Sequence, residues 1–100
     1  MNKYRNKKTG SYASKKEAKR AQDLKLMEKS GEICNLREQV KYLLIPKQEG
    51  ERECSYIADF IFTNKNGDFV CEDVKGMRTP VFVIKRKLML WVHGIRITEI

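Results

Sequence analysis

The sequence predicts an α/β fold of the mixed (α+β) kind, one mixed sheet covered by helices on both faces. Three observations carry this expectation. Helix and strand signals follow one another in the order α-β-β-β-α-β. The middle strand segments are apolar at both parities, as strands buried from two sides are. The 100 residues suffice for one core and would starve a second. The chain therefore divides into a basic flexible arm over residues 1–13 and a single domain over residues 14–100.

The first helix begins at Ser14. Ser14-Lys15-Lys16-Glu17 fits a capping box, in which the serine hydroxyl takes a backbone N–H three residues on. Ala18, Ala21, Leu24 and Met27 supply an apolar stripe, and Ser30-Gly31 closes the helix. Gln39 to Ile45 reads as a strand ended by Pro46. After the charged stretch KQEGERE come two more strands, Ser55–Thr63 and Asp68–Lys75, separated by the hairpin signal Asn64-Lys65-Asn66-Gly67. Gly76 ends the third strand. Thr79 as cap and Pro80 at the first helical position open a second helix reaching about Val92, with Val81, Ile84, Leu88 and Trp91 on one side. Gly94 breaks it, and Ile95–Ile100 alternates like a final strand.

Composition narrows the function classes. No apolar run approaches the ~20 residues that span a bilayer, and the N-terminus has no apolar core of a secretory signal. The three cysteines, Cys34, Cys54 and Cys71, lack the close spacing of zinc sites. The expectation is a cytoplasmic protein with reduced, mostly buried thiols. The net charge is +8, from 21 Lys+Arg against 13 Asp+Glu. It is lopsided: residues 1–16 hold Lys3, Arg5, Lys7, Lys8, Lys15 and Lys16 and no acid. Such arms pair with phosphate backbones, and Tyr4 and Tyr12 interleave with the charges as base-stacking groups do. A solubilising tail is the plainer alternative.

Asp59 interrupts the apolar run Tyr56-Ile57-Ala58 and Phe60-Ile61-Phe62, where a carboxylate is costly unless a cation compensates it. Asp73 and Lys75 flank Val74 in the next strand and share a face at a period of two. The hairpin register decides whether Asp59 joins them. A two-residue Asn66-Gly67 turn would pair Lys65 with Asp68 and set the two aspartates on opposite faces. A three-residue Lys65-Asn66-Gly67 loop pairs Asn64 with Asp68, puts Gly67 in the left-handed position and sets Asp59 across from Asp73. Like charges so placed need a cation between them. The spacing thus predicts the three-residue loop and a divalent metal.

Glu17 is a fourth candidate, on or beside the buried stripe of the first helix and compatible with its capping position. An oxygen-rich set of two or three carboxylates with a lysine suits Mg²⁺ or Mn²⁺, and phosphodiester hydrolysis needs those parts. A buried Asp–Lys ion pair without catalysis is the alternative. Arg78 and Thr79, at the start of the second helix, are placed to hold a phosphate, and Lys85 and Lys87 to track a DNA backbone. Surface charge and helix capping explain them equally. Gln39 opens a strand toward the site without an assigned role, and His93 is given none.

Asp59, then 13 residues, then Asp73-Val74-Lys75, set in this element order, resembles the PD-(D/E)XK nuclease superfamily. Ala58 stands where that superfamily usually has proline. SKKEAKRAQDLKLMEKSGEI, YIADFIF and EDVKG are similar to small phage-encoded endonucleases of the superfamily. The resemblance implies a restriction-endonuclease-like core. It implies a Mg²⁺ or Mn²⁺ ion on Asp59, Asp73 and the Val74 carbonyl, Lys75 positioning the water, and Glu17 completing the metal shell. Glu72 should point to the opposite face. The implied activity is DNA endonuclease, structure-selective or nicking, junction-resolving at its sharpest and then a homodimer, in phage recombination or replication within a bacterial cell. A sequence-specific restriction-like endonuclease and a non-catalytic DNA-binding accessory protein are the rivals.

Overall fold

The computed structural model describes residues 12–75 and 77–100. Lys3, Arg5, Lys7 and Lys8, the charges expected to meet phosphate, therefore lie outside the described residues, as do Tyr4 and Gly76. The observed order is α1 (Lys15–Lys29), β1 (Cys34–Ile45), β2 (Cys54–Thr63), β3 (Phe69–Asp73), α2 (Pro80–His93) and β4 (Thr98–Glu99). The strands form one mixed sheet in the order β1-β2-β3-β4, antiparallel except for the parallel β3–β4 pair. The chain is thus α+β, with two helices on a four-stranded mixed sheet.

Both helix starts follow their caps. The Ser14 hydroxyl accepts from the Glu17 N–H at 3.1 Å, and the Thr79 hydroxyl accepts from the Phe82 N–H at 3.1 Å, with Pro80 in the first turn. Three strands depart clearly from expectation. β1 starts at Cys34 rather than Gln39, since Cys34, Arg37 and Glu38 already pair with Thr63, Ile61 and Phe60 of β2, and the strand runs on through left-handed φ values of 57° at Asn35 and 54° at Gln39. β3 ends at Asp73, leaving Val74 and Lys75 just past its last rung, and the final strand is only two residues long.

Each helix covers its own set of strand residues. Phe60 pairs with Glu72 and Phe62 with Val70, and this side meets Ala21 and Leu24 of α1. Ile61 pairs with Cys71, and this side meets Phe82 and Met89 of α2. Neighbouring residues on a strand face opposite ways, so the helices lie on opposite faces. The α2 stripe is a correction. Phe82 and Met89 are buried, whereas Val81, Ile84 and Trp91 are exposed, Trp91 at 83%. Phe82, tilted against Tyr56 at 6.5 Å between ring centres, seats the buried side of the helix, and of the expected stripe only Leu88 packs against the core.

The alternation in β2 breaks at the point that matters most. Strict alternation would put Tyr56, Ala58, Phe60 and Phe62 on one face. Instead Tyr56 and Ala58 join the α2 core, and Phe60 and Phe62 the α1 core. The change of side falls at Asp59. Across from it, between the Glu38–Phe60 and Val40–Ala58 pairs, sits the left-handed Gln39.

The expected mostly buried thiols are found in part. Cys71 is buried, Cys54 half-buried and Cys34 exposed, and all three are free. Burial among nearby carboxylates pushes the Cys71 thiol up to about 11. Among the described residues, no helix is long and apolar enough to cross a membrane.

Candidate functional site

The β2–β3 hairpin has the three-residue loop. The Asn64 N–H donates to the Asp68 carbonyl at 2.8 Å, the Gly67 N–H donates to the Asn64 carbonyl at 2.9 Å, and Gly67 has φ 85°. The Asn64 side chain accepts from the N–H groups of Asn66 and Asp68 at 3.0 and 2.9 Å, which fastens the loop. The pairs Phe60–Glu72 and Ile61–Cys71 carry the same register on to Asp59 and Asp73. The two aspartates therefore stand across the ladder, as the loop length requires.

They open into a cleft of about 560 Å³ where β3 ends, between the starts of α1 and α2. Glu17, Asp59, Asp73, Val74, Lys75, Thr79 and Lys85 all line it. Asp73 is buried. Its Oδ1 accepts from the Tyr56 hydroxyl at 2.8 Å, and the Lys75 ammonium lies 3.0 Å from Oδ2. That oxygen accepts no hydrogen bond of good geometry, so Lys75 balances its charge without satisfying its lone pairs. Lys75 itself rests over the Phe82 ring, 4.5 Å from its centre, a cation–π seat that holds the ammonium at the cleft wall.

Asp59 Oδ2 accepts from the Val74 N–H at 2.8 Å, and Oδ1 faces the Gln39 amide at 3.4 Å. The same amide nitrogen donates to Glu17 Oε2 at 2.9 Å. Glu17 is buried although it begins a helix, and its carboxylate is directed to Gln39. Desolvation first, then the nearby Asp59 and Asp73 carboxylates, raise the Glu17 pKa above its ordinary value. Asp59 is also raised, by desolvation first. The Val74 N–H opposes this, Asp73 adds to it, and Gln39 and Lys75 oppose it. Three acids thus crowd one cleft, with Lys75 the lysine ion-paired to one of them.

Glu72 stands apart as expected. It pairs with Arg20 of α1, whose Nε donates at 2.8 Å, on the other face of the sheet. Of the expected phosphate-facing residues, Thr79 and Lys85 reach the cleft. Lys16 donates to the Lys75 carbonyl at 3.2 Å and so ties the start of α1 to the site. Lys15 is exposed. Arg78 is outside the cleft, held by Glu99 at 3.0 Å. His93 contacts the Leu43 carbonyl at 2.7 Å, far along α2 from the acids. Tyr56, the partner of Asp73, escaped sequence reasoning, and Gln39, which the sequence leaves without a role, links Glu17 with Asp59. Tyr56 carried no signal, since the change of side at Asp59 is what brings it round.

Among the described residues, no three His, Cys, Asp or Glu side chains converge into a ready ligand set. Mg²⁺ seldom needs one, since one or two carboxylates with waters and substrate oxygens usually hold it. The donors present are all oxygen, and the unsatisfied, buried Asp73 Oδ2 is the kind of atom such an ion would complete. The residues fit a hard divalent cation at Asp59 and Asp73, with Glu17 beside them.

Comparison with curated proteins and with solved structures gives no match. One family model matches residues 1–96, and the chain accordingly belongs to DUF1064, a family described as proteins of unknown function.

Proposed function

We propose that this chain is a divalent-metal-dependent DNA endonuclease of the PD-(D/E)XK kind, with a restriction-endonuclease-like core. The observation that carries the reading is the facing pair Asp59 and Asp73, set by the three-residue hairpin loop, with Lys75 Nζ 3.0 Å from the unsatisfied Asp73 Oδ2. Asp59 and Asp73 would hold Mg²⁺ or Mn²⁺, assisted by the Val74 carbonyl and by Glu17. The metal, when bound, supplies Lewis acidity and a water activated at neutral pH. Lys75 is already seated at the cleft wall to orient that water or to neutralise charge as it builds on the phosphate. Tyr56 fixes Asp73 through Oδ1, leaving Oδ2 for other partners.

The substrate reading follows from charge. Lys16 and Lys85 flank the acids, and the basic arm adds Lys3, Arg5, Lys7 and Lys8 with no acid among them. A chain of this size offers little surface for reading a long sequence, which favours a branched or nicked structure over an extended site. Two symmetric cuts in a junction take two active sites, hence a homodimer. Action during phage recombination or replication, in the cytoplasm of a bacterial host, is the setting that fits such a substrate.

A second reading is a DNA-binding module that keeps the fold without cutting. The ion pair of Lys75 with Asp73, which balances that carboxylate from within the chain, favours it. A panel of linear, nicked, forked, four-way and single-stranded DNAs, incubated with Mn²⁺, separates the two. The nuclease reading expects cleavage of at least one of them, dependent on the metal. Binding without cleavage across the panel would support the module instead.

A further inference from the structure

We propose that Gln39 is a positioning residue of this site, its carboxamide holding Glu17 and Asp59 toward a common divalent cation. The proposal rests on the metal-nuclease reading above and deepens it.

The backbone supplies the first argument. Gln39 is one of two non-glycine residues with a left-handed φ among those described, and the other is an asparagine, a type that tolerates it. Glutamine has no such allowance. Strain of this kind persists where surrounding structure insists on it, and such places cluster at functional sites. Gln39 is exposed, so core packing does not explain its conformation.

Reach supplies the second. The Gln39 amide nitrogen lies 2.9 Å from Glu17 Oε2 and 3.4 Å from Asp59 Oδ1. One NH₂ group carries two hydrogens, one for each acid. Among the described residues, Gln39 is the group that hydrogen-bonds both. An amide suits the task because it is a neutral donor. A lysine there would repel the metal, and a glutamate would add a fourth negative charge. The Val74 N–H directs the other oxygen of Asp59 at 2.8 Å, so the two donors together fix that carboxylate. Partners of this sort, behind the ligands themselves, commonly change metal affinity or activity by about 10–100-fold when removed.

Two substitutions test it. Gln39→Gly removes both the amide and the left-handed strain, so the fold is not put at risk. Gln39→Asn suits the same φ but is one methylene too short to bridge the acids. Both are checked for folding by circular dichroism. Binding of Mn²⁺ alone is then read from the electron paramagnetic resonance signal of the free ion, and single-turnover DNA cleavage is measured at saturating Mn²⁺. The expected result is a Mn²⁺ affinity at least about tenfold weaker in both variants than in wild type, with slower cleavage. A smaller loss of affinity in both, with wild type binding normally, overturns the role of Gln39 and leaves the nuclease reading standing. A wild-type protein that neither binds Mn²⁺ nor cuts overturns that reading, and the role of Gln39 with it.

Discussion

Glu17 carries two duties with different parts of itself. Its backbone N–H satisfies the Ser14 cap, and its buried carboxylate joins the acid cluster through Gln39. The carboxyls of Glu17 and Asp59 are held above their ordinary values by burial and by neighbouring acids. The folded protein therefore keeps these protons at pH values where the unfolded chain has lost them. Their contribution to stability is intact below the ordinary carboxylate range and is lost as pH rises through the raised values. Glu17→Gln stays neutral throughout. In metal-free buffer it is expected to melt with wild type at low pH and to melt at a higher temperature than wild type near neutrality. Thermal melts across that range check it, and an advantage that shrinks as pH rises would contradict the crowded-acid description.

At the scale of elements, the hairpin loop decides whether there is a site at all. One residue fewer between β2 and β3 would turn Asp59 to the opposite face from Asp73. Gly67 holds the loop with φ 85°, and a side chain added there would meet nothing within 4 Å. Gly67→Ala should therefore cost stability through the backbone alone, about 1–2 kcal/mol, read as a lower urea midpoint with an unchanged slope. This register was legible because Asn64 to Gly67 is a local signal and a pair of aspartates constrains which face they share. The two helix starts were legible for the same local reason, through Ser14, Thr79 and Pro80. The outward turn of Val81, Ile84 and Trp91 was not, since apolar spacing gives a stripe but the seat of Phe82 against Tyr56 sets which side is buried. Nor were Tyr56 and the role of Gln39. Their placement depends on the change of side at Asp59 and on a left-handed glutamine, and neither has a sequence signature.

For the whole molecule, charge separates binding from chemistry. The acids sit in one cleft, while most of the excess positive charge belongs to residues 1–16. Replacing Lys3, Arg5, Lys7 and Lys8 together by alanine should weaken DNA binding. It should also flatten the dependence of log affinity on log salt by up to about 3.5 units, near 0.9 for each phosphate no longer neutralised. Cleavage at saturating protein should survive it. An unchanged salt slope would assign the arm to solubility. The central claim is that Asp59, Asp73 and Lys75 form a metal-dependent cutting site. Its most direct test compares wild type with Asp73→Asn in Mn²⁺ under single-turnover conditions, with DNA affinity measured in parallel. Wild type is expected to cut, and Asp73→Asn to lose at least about 100-fold in rate while still binding DNA. Equal binding by both proteins, with cleavage by neither or at the same rate by both, would contradict it.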